Sequence, residues 1–148
     1  MQIADFLAPA SVHAAVRAAD KTALLRILAG QAAGLVAIGE ADILAALTAR
    51  ESLGSTGMGG GFALPHARLP GVARPTGVFA QLRTPIDFEA IDGKPVDLVF
   101  LLLLPTGQQT EQLQALACAA RRLRGPELAA RLRRLAAPAE LFTALTAA

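Results

Sequence analysis

The chain has 148 residues, 53% of them hydrophobic, which fits one domain spanning residues 1–148 with a sizeable core. Fourteen basic and twelve acidic residues leave a net charge of +2, too weak a balance to imply a nucleic-acid partner, and the absence of Trp and Tyr removes the usual stacking platform for single strands or sugar rings. The one cysteine, Cys118, excludes an internal disulfide and suits a reducing compartment.

The opening MQIADFLAPA lacks the basic start and apolar stretch of a secretory signal. In SVHAAVRA, Ser11 to Ala18, the residues Val12, Ala14 and Val16 alternate. That predicts a short strand with His13 on its other, exposed face. Asp20 is placed to cap a helix through KTALLRILAGQAA, with Leu24, Leu25 and Leu28 on one face and Gly30 or Gly34 at its end. EADILAALTARE predicts a second helix that buries Ile43, Leu44 and Leu47. Arg50 and Glu51 fall at its C-terminal end, where the helix dipole favours a cation.

GFALPHAR is too short for a helix and contains Pro65. It reads as a strand, edge or interrupted, with His66 at or near its end. TGVFAQL, Thr76 to Leu82, alternates and predicts another strand, and Asp92-Gly93 signals a turn. VDLVFLLLL, Val96 to Leu104, is apolar nearly throughout, as expected of a strand covered on both faces. This run is about half the length that a membrane helix needs, so a cytoplasmic protein without membrane insertion is expected.

After Pro105 a helix is predicted with Leu113, Leu116, Ala117, Ala120 and Leu123 on its buried side and Cys118 in the core. Gly125-Pro126 breaks it, ELAARLRRLAA forms a short amphipathic helix, and Pro138 starts the last one. Six arginines between Arg121 and Arg134 read either as a solvated helix face or as a docking surface for an acidic partner. The order strand–helix–helix–three strands–three helices predicts an α/β chain, a central sheet with helices on both faces.

Several chemistries are excluded. Two separated histidines and one cysteine cannot build a zinc site of the usual type, so no metal site is expected. LGSTG departs from a G-x-S-x-G elbow at Leu53, and no histidine follows His66 to serve as a base. Neither G-x-G-x-x-G nor G-K-[ST] occurs. Asp87, Glu89, Asp92 and Asp97 are the densest carboxylates but have no register that pairs two of them.

What remains is LGSTGMGGGFALPHARLPG, Leu53 to Gly71, where five glycines precede His66. Glycine leaves backbone N–H groups uncovered, and successive bare N–H groups can cradle an anion. Ser55 and Thr56 add hydroxyls and Arg50 a fixed charge, a set that suits a phosphoryl group. His66 is then the acceptor, because neutral imidazole is nucleophilic near pH 7. Such a transfer is mostly positioning and charge stabilisation, and needs no cofactor. From the residues alone a plain turn with a strand-capping histidine stands equally open.

ARESLGSTGMGGGFALPHARLPG resembles the active-site segment of enzyme IIA domains of the bacterial phosphotransferase system, fructose–mannitol type. The closer similarity is to the nitrogen-regulatory branch (enzyme IIA-Ntr), and it continues through GVFAQLRTPIDFEAIDGKPVDLVFLLLLP. The resemblance implies a three-layer α/β/α sandwich with a mixed central sheet. It implies that His66 takes a phosphoryl group on Nε2 from an HPr-like phosphocarrier, with Arg50 beside it. It further implies that the phosphorylation state controls partners such as potassium transporters or sensor kinases. A sugar-transport enzyme IIA that passes phosphate to a IIB domain, and a binding module independent of phosphorylation, are the alternatives. One position departs from the family pattern: Gln112 stands where a second histidine is usual. Its amide can donate to a phosphoryl oxygen but cannot become cationic.

Overall fold

In a computed structural model, which describes residues 1–107 and 109–147, the chain forms a mixed six-stranded sheet with helices on both faces. Two short 3-10 turns, Ile3–Asp5 and Pro9–Ser11, lead into β1 (Val12–Val16). Helices α1 (Lys21–Ala33) and α2 (Glu40–Ser52) follow. Then come β2 (Gly57–Gly59), β3 (Phe62–Ala63), β4 (His66–Arg68), β5 (Thr76–Ile86) and β6 (Val96–Leu104). Helices α3 (Gln109–Arg124), α4 (Pro126–Arg134) and α5 (Pro138–Thr146) complete the described chain. No helix among the described residues is long and apolar enough to cross a membrane.

β6 is the spine of the sheet. It pairs antiparallel with β5 on one side and parallel with β3 and β4 on the other. From Leu98 onward its side chains alternate between two cores. Leu98, Phe100, Leu102 and Leu104 pack with the N-terminal turns and α3, α4 and α5. Val96, Val99, Leu101 and Leu103 pack with α1 and α2. This two-sided burial is why Val96–Leu104 carries no polar face. The result is the expected α/β/α sandwich.

Local signals decide several boundaries. The Asp20 carboxylate accepts from the Ala23 N–H at 2.8 Å, and Gly34 ends α1 as its C-terminal cap. Ala90 to Gly93 closes a turn through Gly93 N–H to the Ala90 carbonyl at 2.9 Å, with Gly93 at φ 72°.

The structure corrects five expectations. Val12, Ala14 and Val16 do not share a face: Val12 and Ala14 face the α3–α5 core, and Val16 the α1–α2 core. A register shift between His13 and Val16, with Ala15 at φ 51°, turns the strand over. His13 is half-buried rather than exposed, and burial lowers its pKa. On α3, Leu113 and Ala117 are exposed, and the buried face runs through Gln112, Ala115, Ala119 and Leu123. Leu44 is only half-buried. Five strands rather than three lie between α2 and α3. Gly57–Gly59 pairs with β3, and GFALPHAR is interrupted at Leu64-Pro65.

Candidate functional site

The interruption follows from Pro65. Without an N–H it cannot continue the ladder as a donor, yet its carbonyl still accepts from Leu102 N–H at 2.9 Å. β3 and β4 therefore run along one edge of β6 as two short pieces. The Leu64 N–H bonds the Thr56 carbonyl at 3.0 Å. The Leu64 carbonyl lies 2.8 Å from Nδ1 of His66. A carbonyl only accepts, so Nδ1 carries the ring proton and Nε2 the lone pair.

His66 opens onto a cleft of about 490 Å³ between α2, β4 and α3. Arg50 and Leu53 line it from the end of α2, Arg68 and Leu104 from the sheet, and Leu116 from α3. Burial pushes the His66 pKa below its ordinary value; the Leu64 hydrogen bond opposes this. Among nearby charges Arg50 and Arg68 lower it and Glu51 raises it. The ring is thus neutral at pH 7, a nucleophile with its free nitrogen available.

The expected set of His66, Arg50, Ser55, Thr56 and Gln112 divides. Arg50 shares the cleft with His66, and its Nη1 also donates to the Gly54 carbonyl at 2.9 Å, fixing the end of α2. Ser55 Oγ donates to the Phe88 carbonyl at 2.7 Å and accepts from Gly57 N–H at 3.0 Å. Thr56 is buried and its hydroxyl donates to Glu51. Neither lines the cleft. Gln112 is fully buried, with Nε2 donating to the Pro105 carbonyl and Oε1 lacking a partner among the described residues. The glycine run forms the β2–β3 hairpin: Gly60 N–H donates to Asp92 at 3.0 Å, and the Gly61 carbonyl accepts from Asp97 and Leu98. Gly57 is required by close approach, since a Cβ there would stand 2.8 Å from Ala90 Cα.

Two further side chains near His66 did not stand out in the sequence as site residues. Glu51 accepts from the Thr56 N–H at 3.1 Å and pairs with Lys21 at 2.9 Å, and so holds the loop that carries Thr56 and, through it, Leu64. Its signal was the acid next to Arg50. Arg68 lies two residues beyond His66, and strand alternation puts both on one face. Among the described residues no group of three or more potential metal ligands occurs. Of the six arginines from 121 to 134, two serve the fold. Arg122 donates to the Ala144 and Leu145 carbonyls, and Arg133 binds Asp97 and the Gly60 carbonyl.

Comparison with known proteins gives this geometry its context. The chain is 45% identical over 133 residues to the nitrogen regulatory protein of Bradyrhizobium diazoefficiens, covering 90% of this chain and 87% of that one. It is 37% identical over 147 residues to the nitrogen regulatory protein of Escherichia coli, covering 99% and 90%. The nitrogen regulatory protein IIA-Ntr from Neisseria meningitidis superposes with a TM-score of 0.92 at 33% identity, covering 97% of this chain and 99% of that one. A family model described as "Phosphoenolpyruvate-dependent sugar phosphotransferase system, EIIA 2" matches residues 5–148. By that match and by these relatives, the chain belongs to the EIIA 2 family of the phosphotransferase system, phosphotransferase components that carry a phosphoryl group on histidine.

Proposed function

We propose that His66 accepts a phosphoryl group on Nε2 from the phosphohistidine of an HPr-like carrier, and that the phosphorylation state governs which partner proteins the chain binds in the cytoplasm. The observation that carries this reading is the 2.8 Å contact of Nδ1 with the Leu64 carbonyl, which leaves Nε2 as the nucleophile in an arginine-lined cleft.

The transfer balances without a separate base. The P–N bond of the donor breaks as the P–Nε2 bond forms, and the bonding pair returns to the donor ring. A donor ring that was cationic becomes neutral, and the neutral His66 ring becomes cationic. The Leu64 carbonyl then accepts from a charged ring, and charge-assisted hydrogen bonds are about twice as strong as neutral ones. Catalysis consists of holding the ring and balancing charge on the moving group, a task for which Arg50 is placed. Ser55, Thr56 and Glu51 act at one remove by fixing the loop before β2.

The names of the relatives, nitrogen regulatory proteins at 45% and 37% identity, favour a regulatory role over passage of the phosphoryl group to a sugar-specific IIB domain. The test is intact mass after incubation with phosphoenolpyruvate and the cognate carrier chain. The wild type gains one phosphoryl mass and His66→Ala gains none. A wild type that stays unmodified beside partners shown to be active overturns the reading.

A further inference from the structure

The His66 cleft holds a second cation. β4 has only three residues, and Ala67 between His66 and Arg68 is buried in the α1–α2 core. His66 and Arg68 therefore project from the opposite face of the strand, at positions paired with Leu102 and Leu104 of β6. β4 pairs with β6 alone among the described strands, so its outer edge is open. Arg68 is exposed, and among the described residues it makes no ion pair and no side-chain hydrogen bond. Nothing among the described residues uses its guanidinium.

Among the described residues the lining of the cleft is otherwise apolar apart from Arg50 and His66, and it includes no carboxylate. Glu51, the acid whose charge acts on the His66 ring, is engaged by Lys21 and Thr56. Arg50 spends one N–H on the Gly54 carbonyl. A phosphoryl group on imidazole brings up to two negative charges, more than the single charge of one guanidinium balances. Gln112 supplies no cation and is turned onto Pro105. Among the described residues that line the cleft, Arg68 is the one unengaged charge, and its planar fork matches two phosphoryl oxygens.

We propose that Arg68 binds the phosphoryl group on His66 together with Arg50, so that the transferring group sits between two guanidinium groups. This rests on the reading of His66 given above. Both charges already act on the ring, pushing its pKa in the same direction. The other walls, formed by Ala46, Ala49, Leu53, Leu104 and Leu116, are apolar and offer the phosphoryl group no competing side-chain donor.

The alternative is that Arg68 only guards an open sheet edge, as charged residues commonly do. Two measurements separate them. The first is the rate of phosphoryl gain by intact mass, at varied carrier concentration, in the wild type, Arg68→Gln and Arg68→Lys. The second is titration of each unphosphorylated protein with inorganic phosphate, followed through the His66 ring resonances. Arg68→Gln is expected to lose about ten- to a hundredfold in maximal rate and in phosphate affinity, the size of a lost charge-assisted hydrogen bond. Arg68→Lys is expected to recover part of both. Retention of wild-type rate and affinity by Arg68→Gln overturns the inference. So does a loss confined to the KM for the carrier, which would put Arg68 on the partner's surface instead. A wild type that gains no phosphoryl mass overturns the reading of His66, and the phosphate titration then decides the role of Arg68 by itself.

Discussion

Glu51 and Thr56 are joined twice: the carboxylate accepts both the backbone N–H and the side-chain hydroxyl of Thr56. The same carboxylate pairs with Lys21, whose ammonium lies 4.6 Å from the centroid of the Phe88 ring. Thr56 in turn bonds Leu64, and the Leu64 carbonyl orients His66. A chain of short contacts thus runs from α1 through the end of α2 to the reactive ring. The Glu51 and Lys21 side chains are only 6% and 16% exposed, so the pair is poorly screened by water.

Glu51→Ala should therefore cost about 3–5 kcal/mol in chemical denaturation, the range for stripping one partner from a buried ion pair. Glu51→Gln keeps an acceptor for the Thr56 N–H but not the charge, and should cost less. In both variants the loop that carries Thr56 loosens, so phosphoryl gain by His66 should slow as well. Wild-type stability in Glu51→Ala would count against this network.

Protonation of His66 should be visible in both stability and reactivity. Burial sets its folded pKa below the ordinary value of about 6.5. Between the two values the unfolded chain binds more protons than the native one. The stability this contributes is fully present above about pH 6.5 and is lost as the pH falls through the folded value. His66→Gln should flatten the fall in Tm between pH 7 and pH 5. A residual slope should remain from His13, which burial shifts in the same direction. The rate of phosphoryl gain should be level from pH 8 to about 6.5 and decline only below that. A rate already falling between pH 8 and 7 would contradict a depressed pKa.

Gln81 joins three elements across the α3–α5 side of the sheet. Its Nε2 donates to the Leu132 and Leu135 carbonyls at the end of α4, and its Oε1 accepts from the Ala15 N–H at the bulge of β1. Gln81→Leu leaves those three backbone groups without their partner and should destabilise by about 2 kcal/mol or more. Hydrogen exchange should then quicken at Ala15, whose N–H loses its acceptor. Unchanged protection there would mean that water replaces the amide.

The elements whose character is uniform were legible in the chain. Val96–Leu104 is apolar on both faces because β6 feeds two cores. Asp20 announces α1 because a carboxylate there meets a free N–H. What periodicity could not carry was a change of face. Ala15 gives no sign that it adopts φ 51° and reverses Val16. On α3 the small side chains of Ala115 and Ala119 are the buried ones, since the sheet comes close, while Leu113 is left 61% exposed. At the site, His66 and Arg50 stood out by residue type, but the partners of Ser55 and Thr56 did not. Phe88 lies 33 residues from Ser55, and only the fold brings them together. The glycines read as bare anion donors are instead spent on a hairpin, a pairing invisible without the third dimension.

Gln112 poses the sharpest contrast between residue type and placement. By type it is a hydrogen-bond donor suited to phosphate. By placement it is fully buried, with Nε2 on the Pro105 carbonyl and Oε1 without a partner among the described residues. Reversing the amide would set Oε1 against another oxygen, so the donor stays on Pro105. Gln112→Met removes an unsatisfied buried carbonyl, which stabilises, and leaves the Pro105 carbonyl without its donor, which destabilises. The two effects are each about 1–3 kcal/mol and oppose each other, and the volumes are similar. Denaturation midpoints should therefore move little. Phosphoryl gain at His66 should stay within about twofold of the wild type, because a change that leaves transition-state contacts intact leaves the rate. A hundredfold loss with an unchanged midpoint would mean that Gln112 leaves Pro105 to meet the phosphoryl group during transfer.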